Sequence, residues 1–270
     1  GLVGSEMCIR DRSLDSRDPR RAQGDPRGLE ERFLIGASVL HYAAPKPCYR
    51  GSQAKKVDYQ AILFDLDGTL VDSATLIYGA FNHVAEKYLG RSYAPEEITR
   101  FFGPSEDSTW AKLLRPEQLE HALEAYYSYY RRNHAEVILF DGIPRLLKRL
   151  GEQRAPLAIV TGRGKRTTEM TLEMCRLRPF FQEIVTSDDI THPKPHPECV
   201  LEACRRLGVQ PAEALMVGDS PLDIEAGRSA GAVTAAALWG TFGLSAPLQQ
   251  ARPDYCFDSP RDLEAFLLRR

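Results

Sequence analysis

Three short apolar runs in this 270-residue chain each end abruptly in polar or small residues, and that pattern constrains the fold more than any other feature. Tyr59–Phe64 runs into Asp65-Leu66-Asp67-Gly68-Thr69-Leu70, and Pro156–Val160 into Thr161-Gly162-Arg163. Ala214–Val217 runs into Gly218-Asp219-Ser220-Pro221-Leu222-Asp223. A short apolar run closed by a turn signal reads as a strand buried on both faces, the habit of parallel sheets. Polar residues at its carboxyl end then lie where open α/β sheets place their ligands. Helices are expected after the second and third runs, one carrying Met170, Met174 and Leu177 at helical spacing and one over Ile224–Ala230 closed by Gly231.

Asp65 and Asp67 are two residues apart, so in extended chain both carboxylates project to one side, and Gly68 permits the sharp turn that keeps them at the sheet edge. Carboxylates this close repel, and a shared proton, a basic neighbour or a hard cation must offset the charge. Thr161 and Gly162 offer a hydroxyl and backbone N–H groups at a helix start. Lys194 lies between Pro193 and Pro195 in a stiff loop. Asp219 ends a strand, and Asp223 falls in the first turn of the next helix. Taken singly, each has a plainer role: a turn aspartate, a helix cap, a surface charge, an acid favoured at a helix N-terminus. The Gly-x-Gly-Lys at 162–165 lacks the spacing of a phosphate-binding Walker loop.

Composition narrows the function classes. Apolar residues make up 43% and charged residues 27%, values of a globular chain, which excludes disorder throughout. A net charge of −2 leaves no field for gripping a nucleic-acid backbone. Phe33–Ala44, the longest apolar stretch, is interrupted by Gly36 and His41 and falls well short of the ~20 residues that span a bilayer. Six scattered cysteines without a CxxC fit reduced thiols in a cytoplasmic protein. His192, His196, Cys199 and Cys204 invite a zinc reading, but Val200, Cys204 and Leu207 form a helical stripe between Pro197 and Gly208, so Cys204 is expected in the core.

Residues 1–55 differ from the rest: they are rich in arginine and turn residues, with ten Lys and Arg against seven Asp and Glu. Transit peptides are poor in acids, and this segment is not. Glu6-Met7-Cys8-Ile9-Arg10-Asp11 resembles a translated sequencing-adapter end, and the remaining methionines are Met170, Met174 and Met216. The expectation is a non-native or disordered extension.

In order, DLDGT at 65–69, TG at 161–162, Lys194 and GDSPLD at 218–223 resemble the four motifs of the haloacid dehalogenase superfamily, over about Val57 to Leu268. The resemblance implies a Rossmann-like α/β core, a parallel sheet with helices on both faces, plus an inserted all-α cap. Asp65 would be the nucleophile and Asp67 the general acid and base. Thr161, Lys194 and the backbone N–H groups of Leu66, Asp67 and Gly162 would bind the phosphoryl group. Mg²⁺ would be held by the Asp65 carboxylate, the Asp67 carbonyl oxygen and Asp219, with Asp223 orienting a bound water or Lys194. Hard oxygen ligands suit Mg²⁺ rather than zinc. Dehalogenating members lack an aspartate at the position of Asp67, which disfavours that activity.

The expected domains are a core over 56–72 and 141–270 and a cap over 73–140. In the cap, Phe81, Val84, Ala85 and Tyr88 form one helical stripe and Leu119, Leu123, Tyr126 and Tyr130 another. The segment Phe101–Asp107 resembles the cap loop that family members point at the active site, which makes Gly103, Pro104, Ser105 and Glu106 candidates for substrate specificity. A plain interhelical turn is the alternative. Arg100 is the candidate cationic contact.

The overall pattern is closest to phosphoglycolate phosphatases and related small-molecule phosphatases. The usual proline before Gly142 is Asp141 here, and the cap loop also departs from the commoner form. The expected activity is Mg²⁺-dependent hydrolysis of a small phosphorylated metabolite by a monomer or homodimer, with no nucleic-acid or membrane partner. A phosphomutase of the β-phosphoglucomutase type shares all four motifs. A non-catalytic phospho-acceptor or binding module is the alternative of another class.

Overall fold

The computed structural model describes residues 59–240 and 245–268. The expected extension over 1–55 lies outside the described residues. In chain order come β1 (Ala61–Phe64), β2 (Val71–Asp72), α1 (Ala74–Leu89), α2 (Pro95–Ile98), α3 (Glu106–Leu113), α4 (Pro116–Arg132), β3 (Ile138–Leu139) and α5 (Ile143–Glu152). Then follow β4 (Leu157–Val160), α6 (Lys165–Met174), β5 (Glu183–Val185), α7 (Glu198–Leu207) and β6 (Ala214–Gly218). The last elements are α8 (Pro221–Ala230), β7 (Val233–Ala237), α9 (Ser245–Gln250), β8 (Tyr255–Phe257) and α10 (Pro260–Leu267).

Six strands form one parallel sheet in the order β5-β4-β1-β6-β7-β8. Every residue of β1, β4 and β6 is buried, as their unbroken apolar character requires. Side chains alternate between the two faces. Ile62 and Phe64 pack with α5, α6 and α10 on one side, and Ala61 and Leu63 with α7 and α8 on the other. Each Leu, Ile, Val or Phe so buried contributes about 1.5–3 kcal/mol.

From β1 the chain passes to β4 on one side and later to β6 on the other. The crevice outside the carboxyl end of β1 is therefore the topological switch point of the sheet. Register finishes the placement: Phe64 pairs with both Ile159 and Val217, so Asp65, Thr161 and Asp219 emerge at the same edge.

The antiparallel pair β2–β3 joins Val71 to Leu139 and Asp72 to Ile138, and between these strands runs a helical insertion, α1 to α4. Its two main stripes pack as their spacing predicts: Phe81, Val84 and Ala85 are buried on α1, and Tyr126 and Tyr130 on α4. Helix α7 starts after Pro197 and ends at Gly208 with Cys204 buried, the core role expected of it.

Two expectations fail. Of the stripe expected for α6, Leu177 is buried and Met170 packs against the core, but Met174 is half exposed, and Thr167, Thr168 and Thr171 are buried beside Leu172, so the inward face is partly polar. That face tolerates burial because its hydroxyls are satisfied: Thr168 Oγ1 donates to the Gly164 carbonyl at 2.8 Å, and Thr171 Oγ1 lies 2.8 Å from the Tyr130 hydroxyl. Among the cysteines, Cys175, Cys199 and Cys204 are free thiols, but Cys256 is disulfide-bonded, against the expectation of six reduced thiols.

Candidate active site

The turn after β1 is built by short-range hydrogen bonds. Gly68 N–H donates to the Val71 carbonyl at 2.8 Å and Leu70 N–H to the Leu66 carbonyl at 2.9 Å, and Gly68 takes φ +77°, a left-handed value that glycine adopts without strain. Asp65 sits at the mouth of this turn, its N–H donating to the Val217 carbonyl at 2.9 Å. Lys194 reaches it from the loop before α7: Nζ donates to Asp65 Oδ1 at 2.8 Å, to Asp223 Oδ1 at 2.5 Å and to the Val160 carbonyl at 2.7 Å. All three ammonium protons are thus engaged, in a side chain only 6% exposed.

Asp223 is fixed from two directions. Its second oxygen accepts from Ser220 Oγ at 2.6 Å and Ser220 N–H at 3.1 Å, the reciprocal cap that starts α8. A Cβ on Gly218 would stand 2.3 Å from the Asp223 Cβ, so the strand end must be glycine for this carboxylate to fit. Asp219 is buried beside them and accepts from Thr69 Oγ1 at 3.4 Å.

Carboxylate oxygens of Asp65, Asp219 and Asp223 come within 4.8 Å of one another. Burial, only partly opposed by Lys194, pushes Asp65 up to about 7, with Asp223 and Asp67 adding to the rise. Burial and the charge of Asp65 likewise hold Asp219 well above the usual carboxylate range. Lys194 moves the other way: burial pulls it down, but Asp223 and Asp65 more than offset this and keep it a cation. The cluster therefore carries more negative charge than its lysine balances, and it offers only oxygen donors, a set that fits a hard divalent cation. Asp65 and Asp219 have oxygen atoms to give such an ion, whereas both oxygens of Asp223 are already committed.

The Asp67 carboxylate turns away from that cluster. Arg163 grips it in bidentate fashion, with Nε donating to Oδ2 at 3.0 Å and Nη2 to Oδ1, and Ser73 Oγ donates to it as well. Arg163 is itself buried and donates onward to the Tyr130 hydroxyl and, at 2.7 Å, to Thr171 Oγ1. Arg163 directly follows the TG motif, and the sequence by itself assigns it no role. Its partner lies 96 residues away, and nothing in the local pattern marks the pair. Thr69 is hidden in the sequence for the same reason, its partner Asp219 lying 150 residues away; Ser73 is only six residues from Asp67, and no sequence pattern marks that bond.

Thr161 and Gly162 line the same cavity as Asp65, Asp67, Lys194 and Asp219. The Leu66 side chain is buried beneath the turn, in the core. Gly103, Pro104 and Glu106 of the cap loop also line the cavity, and the Gly103 backbone passes over Gly162. Ser105 and Arg100 do not. Ser105 caps α3, its Oγ accepting from Ser108 N–H at 3.3 Å. Arg100 is exposed because the short turn that carries it, Thr99–Phe101, directs Phe101 inward onto Phe81, with ring centroids 5.3 Å apart. Glu106 is spoken for: its carboxylate accepts from Gly164 N–H at 2.9 Å and Thr167 Oγ1 at 2.6 Å, tying the cap to the start of α6.

A buried carboxylate cluster and a fully engaged lysine at the switch point of a parallel sheet, under a helical insertion, define an α/β enzyme site in which an acid side chain can serve as nucleophile. The haloacid dehalogenase-like hydrolase family model matches residues 62–237, and the chain belongs to that family. It is 37% identical over 203 residues to pyrophosphatase PpaX of Bacillus cereus, covering 75% of this chain and 93% of that protein. A haloacid dehalogenase-like hydrolase of Streptococcus pneumoniae is 32% identical with a TM-score of 0.63, covering 78% of this chain and 99% of that one. A predicted phosphoglycolate phosphatase of Haemophilus somnus shares the fold with a TM-score of 0.67 at 24% identity, covering 77% of this chain and 98% of that one.

Proposed function

We propose that this protein is a Mg²⁺-dependent phosphatase that hydrolyses a small organic phosphate monoester through an aspartyl phosphate on Asp65. The observation that carries the reading is Lys194, which holds Asp65 and Asp223 together in the cavity that Asp219, Thr161 and Gly162 also line. Asp65 and Asp219 would hold the ion, with the Asp67 carbonyl oxygen. Bound there, Mg²⁺ neutralises negative charge on the phosphoryl oxygens.

The chain's own groups supply the rest. Asp65 attacks phosphorus in line, the bond to the leaving oxygen breaks, and an acyl phosphate forms on its carboxylate. Lys194 offsets charge on the equatorial oxygens. Thr161 and the backbone N–H groups of Leu66, Asp67 and Gly162 receive those oxygens. Asp67 gives a proton to the departing alkoxide, then takes one from the water that cleaves the acyl phosphate. Arg163 and Ser73 hold the Asp67 carboxylate ready beside the cavity.

The similarity to a pyrophosphatase and to a predicted phosphoglycolate phosphatase supports phosphoryl hydrolysis as the reaction class. Phosphate release from a generic aryl phosphate, with and without Mg²⁺, tests the reading. Activity should require the ion and disappear in Asp65→Asn; equal activity in that variant refutes the assigned nucleophile.

A further inference from the structure

The cavity above Asp65 encloses about 310 Å³, at the lower end of the ~300–1,000 Å³ range of small-molecule sites. Its floor is charged and its walls are not. Phe81, Ile98, Phe101 and Trp110 wall it on the cap side. Phe102 of the cap loop and Leu222 in the first turn of α8 also line it, and both are large apolar side chains left more than a third exposed, at 39% and 37%. Apolar groups from two separate elements thus face one opening, a pattern that marks a binding surface for apolar matter.

Among the described residues, two cations line the cavity, and both are in use. Lys194 gives its three protons to Asp65, Asp223 and the Val160 carbonyl. Arg163 spends its guanidinium on Asp67, Tyr130 and Thr171. Five carboxylates line the same space: Asp65, Asp67, Glu106, Asp219 and Asp223. Mg²⁺ would be taken up by the phosphoryl group itself, so a leaving group with its own negative charge would enter beside these acids with no free side-chain cation among the described residues to meet it, and an unpaired charge is costly to bury. The second phosphate of pyrophosphate and the carboxylate of phosphoglycolate are both such groups.

We infer that the substrate is a phosphomonoester whose leaving group is uncharged and apolar, an aryl or alkyl alcohol seated against Phe101 and the two apolar residues at the opening, Phe102 and Leu222. The inference rests on the phosphatase reading and names its substrate class. It departs from the substrates in the names of the similar proteins.

The test is kcat/KM, by phosphate release with Mg²⁺ in excess, for 2-phenylethyl phosphate, ethyl phosphate, phosphoglycolate and pyrophosphate. The first two are alkyl esters of similar intrinsic reactivity, so their ratio reads the apolar wall alone. The ring-bearing ester should exceed ethyl phosphate by at least about tenfold, and the two anionic substrates should fall below it. Phe102→Ser and Leu222→Ser should each lower that ratio severalfold. A ratio near one, or preference for pyrophosphate or phosphoglycolate, overturns the inference while leaving the phosphatase intact. Binding separates the two failures: 2-phenylethylphosphonate should protect against thermal unfolding more than phosphonoacetate does. If no ester is turned over but that order of protection holds, the reaction is misassigned and the apolar pocket stands. If phosphonoacetate protects equally or better, the pocket assignment falls.

Discussion

Asp67 meets two opposed demands. The proposed reaction asks it to carry a proton to the leaving group, while Arg163 and Ser73 hold its carboxylate in the resting site. Replacing it by asparagine keeps the shape and removes the proton transfer, so kcat for an alkyl phosphate should fall about 10²- to 10⁴-fold with KM little changed, as steady-state kinetics would measure. Lys194 tests the charge balance. Its ion pairs join a side chain 6% exposed to carboxylates 11% and 2% exposed, so Lys194→Met leaves Asp65 and Asp223 without their cation. A loss of about 3–5 kcal/mol in urea unfolding is expected in the absence of divalent ions. At this scale the sequence was legible where chemistry follows a strand, as at Asp65, Thr161 and Asp219, or sits in a proline-stiffened loop, as at Lys194; all four line one cavity. It was not legible where a partner arrives from another part of the chain, as Arg163 does at Asp67. Arg100 misled because charge was weighed without the packing of Phe101, which turns its neighbour outward.

Elements were readable in proportion to their burial. The strands β1, β4 and β6 are unbroken apolar runs because both faces are covered, and each stood out at once. The two-residue strands β2 and β3 carry no period to read, and they form only because Val71 and Leu139 meet at the base of the insertion. In helix α6 Met170 packs inward but Met174 does not, since threonines with local acceptors can be buried as well as apolar side chains. The start of α8 joins element to chemistry, because one carboxylate caps the helix and also anchors Lys194. Ser220→Ala should cost about 0.5–2 kcal/mol by urea denaturation. It should also reduce kcat, since Asp223 loses the partner that orients it.

For the whole molecule, the balance between acids and cations ties stability to pH. Asp65 and Asp219 are held above their usual range when folded, so between about pH 4 and 7 the folded protein keeps protons that the unfolded chain has lost. Their contribution therefore disfavours the folded state as pH rises through that window. A divalent ion competes with those protons. The rise in Tm produced by Mg²⁺ should accordingly be larger at pH 8 than at pH 5.5, a comparison for calorimetry. Glu106 joins cap to core by its bonds to Gly164 and Thr167, with its own carboxyl raised by burial. Glu106→Ala strands the Gly164 N–H and leaves the Thr167 hydroxyl only its longer bond to the Gly164 carbonyl, and about 1–3 kcal/mol should be lost in the same assay.

In the proposed reaction the phosphoryl group passes through the Asp65 carboxylate. Rapid quenching during turnover, followed by borohydride reduction and peptide mass spectrometry, tests it directly, because an acyl phosphate is reduced to an alcohol and a free carboxylate is not. Homoserine is expected at position 65, dependent on substrate and Mg²⁺. Reduction at another carboxylate, or none at any while phosphate is released, would contradict it.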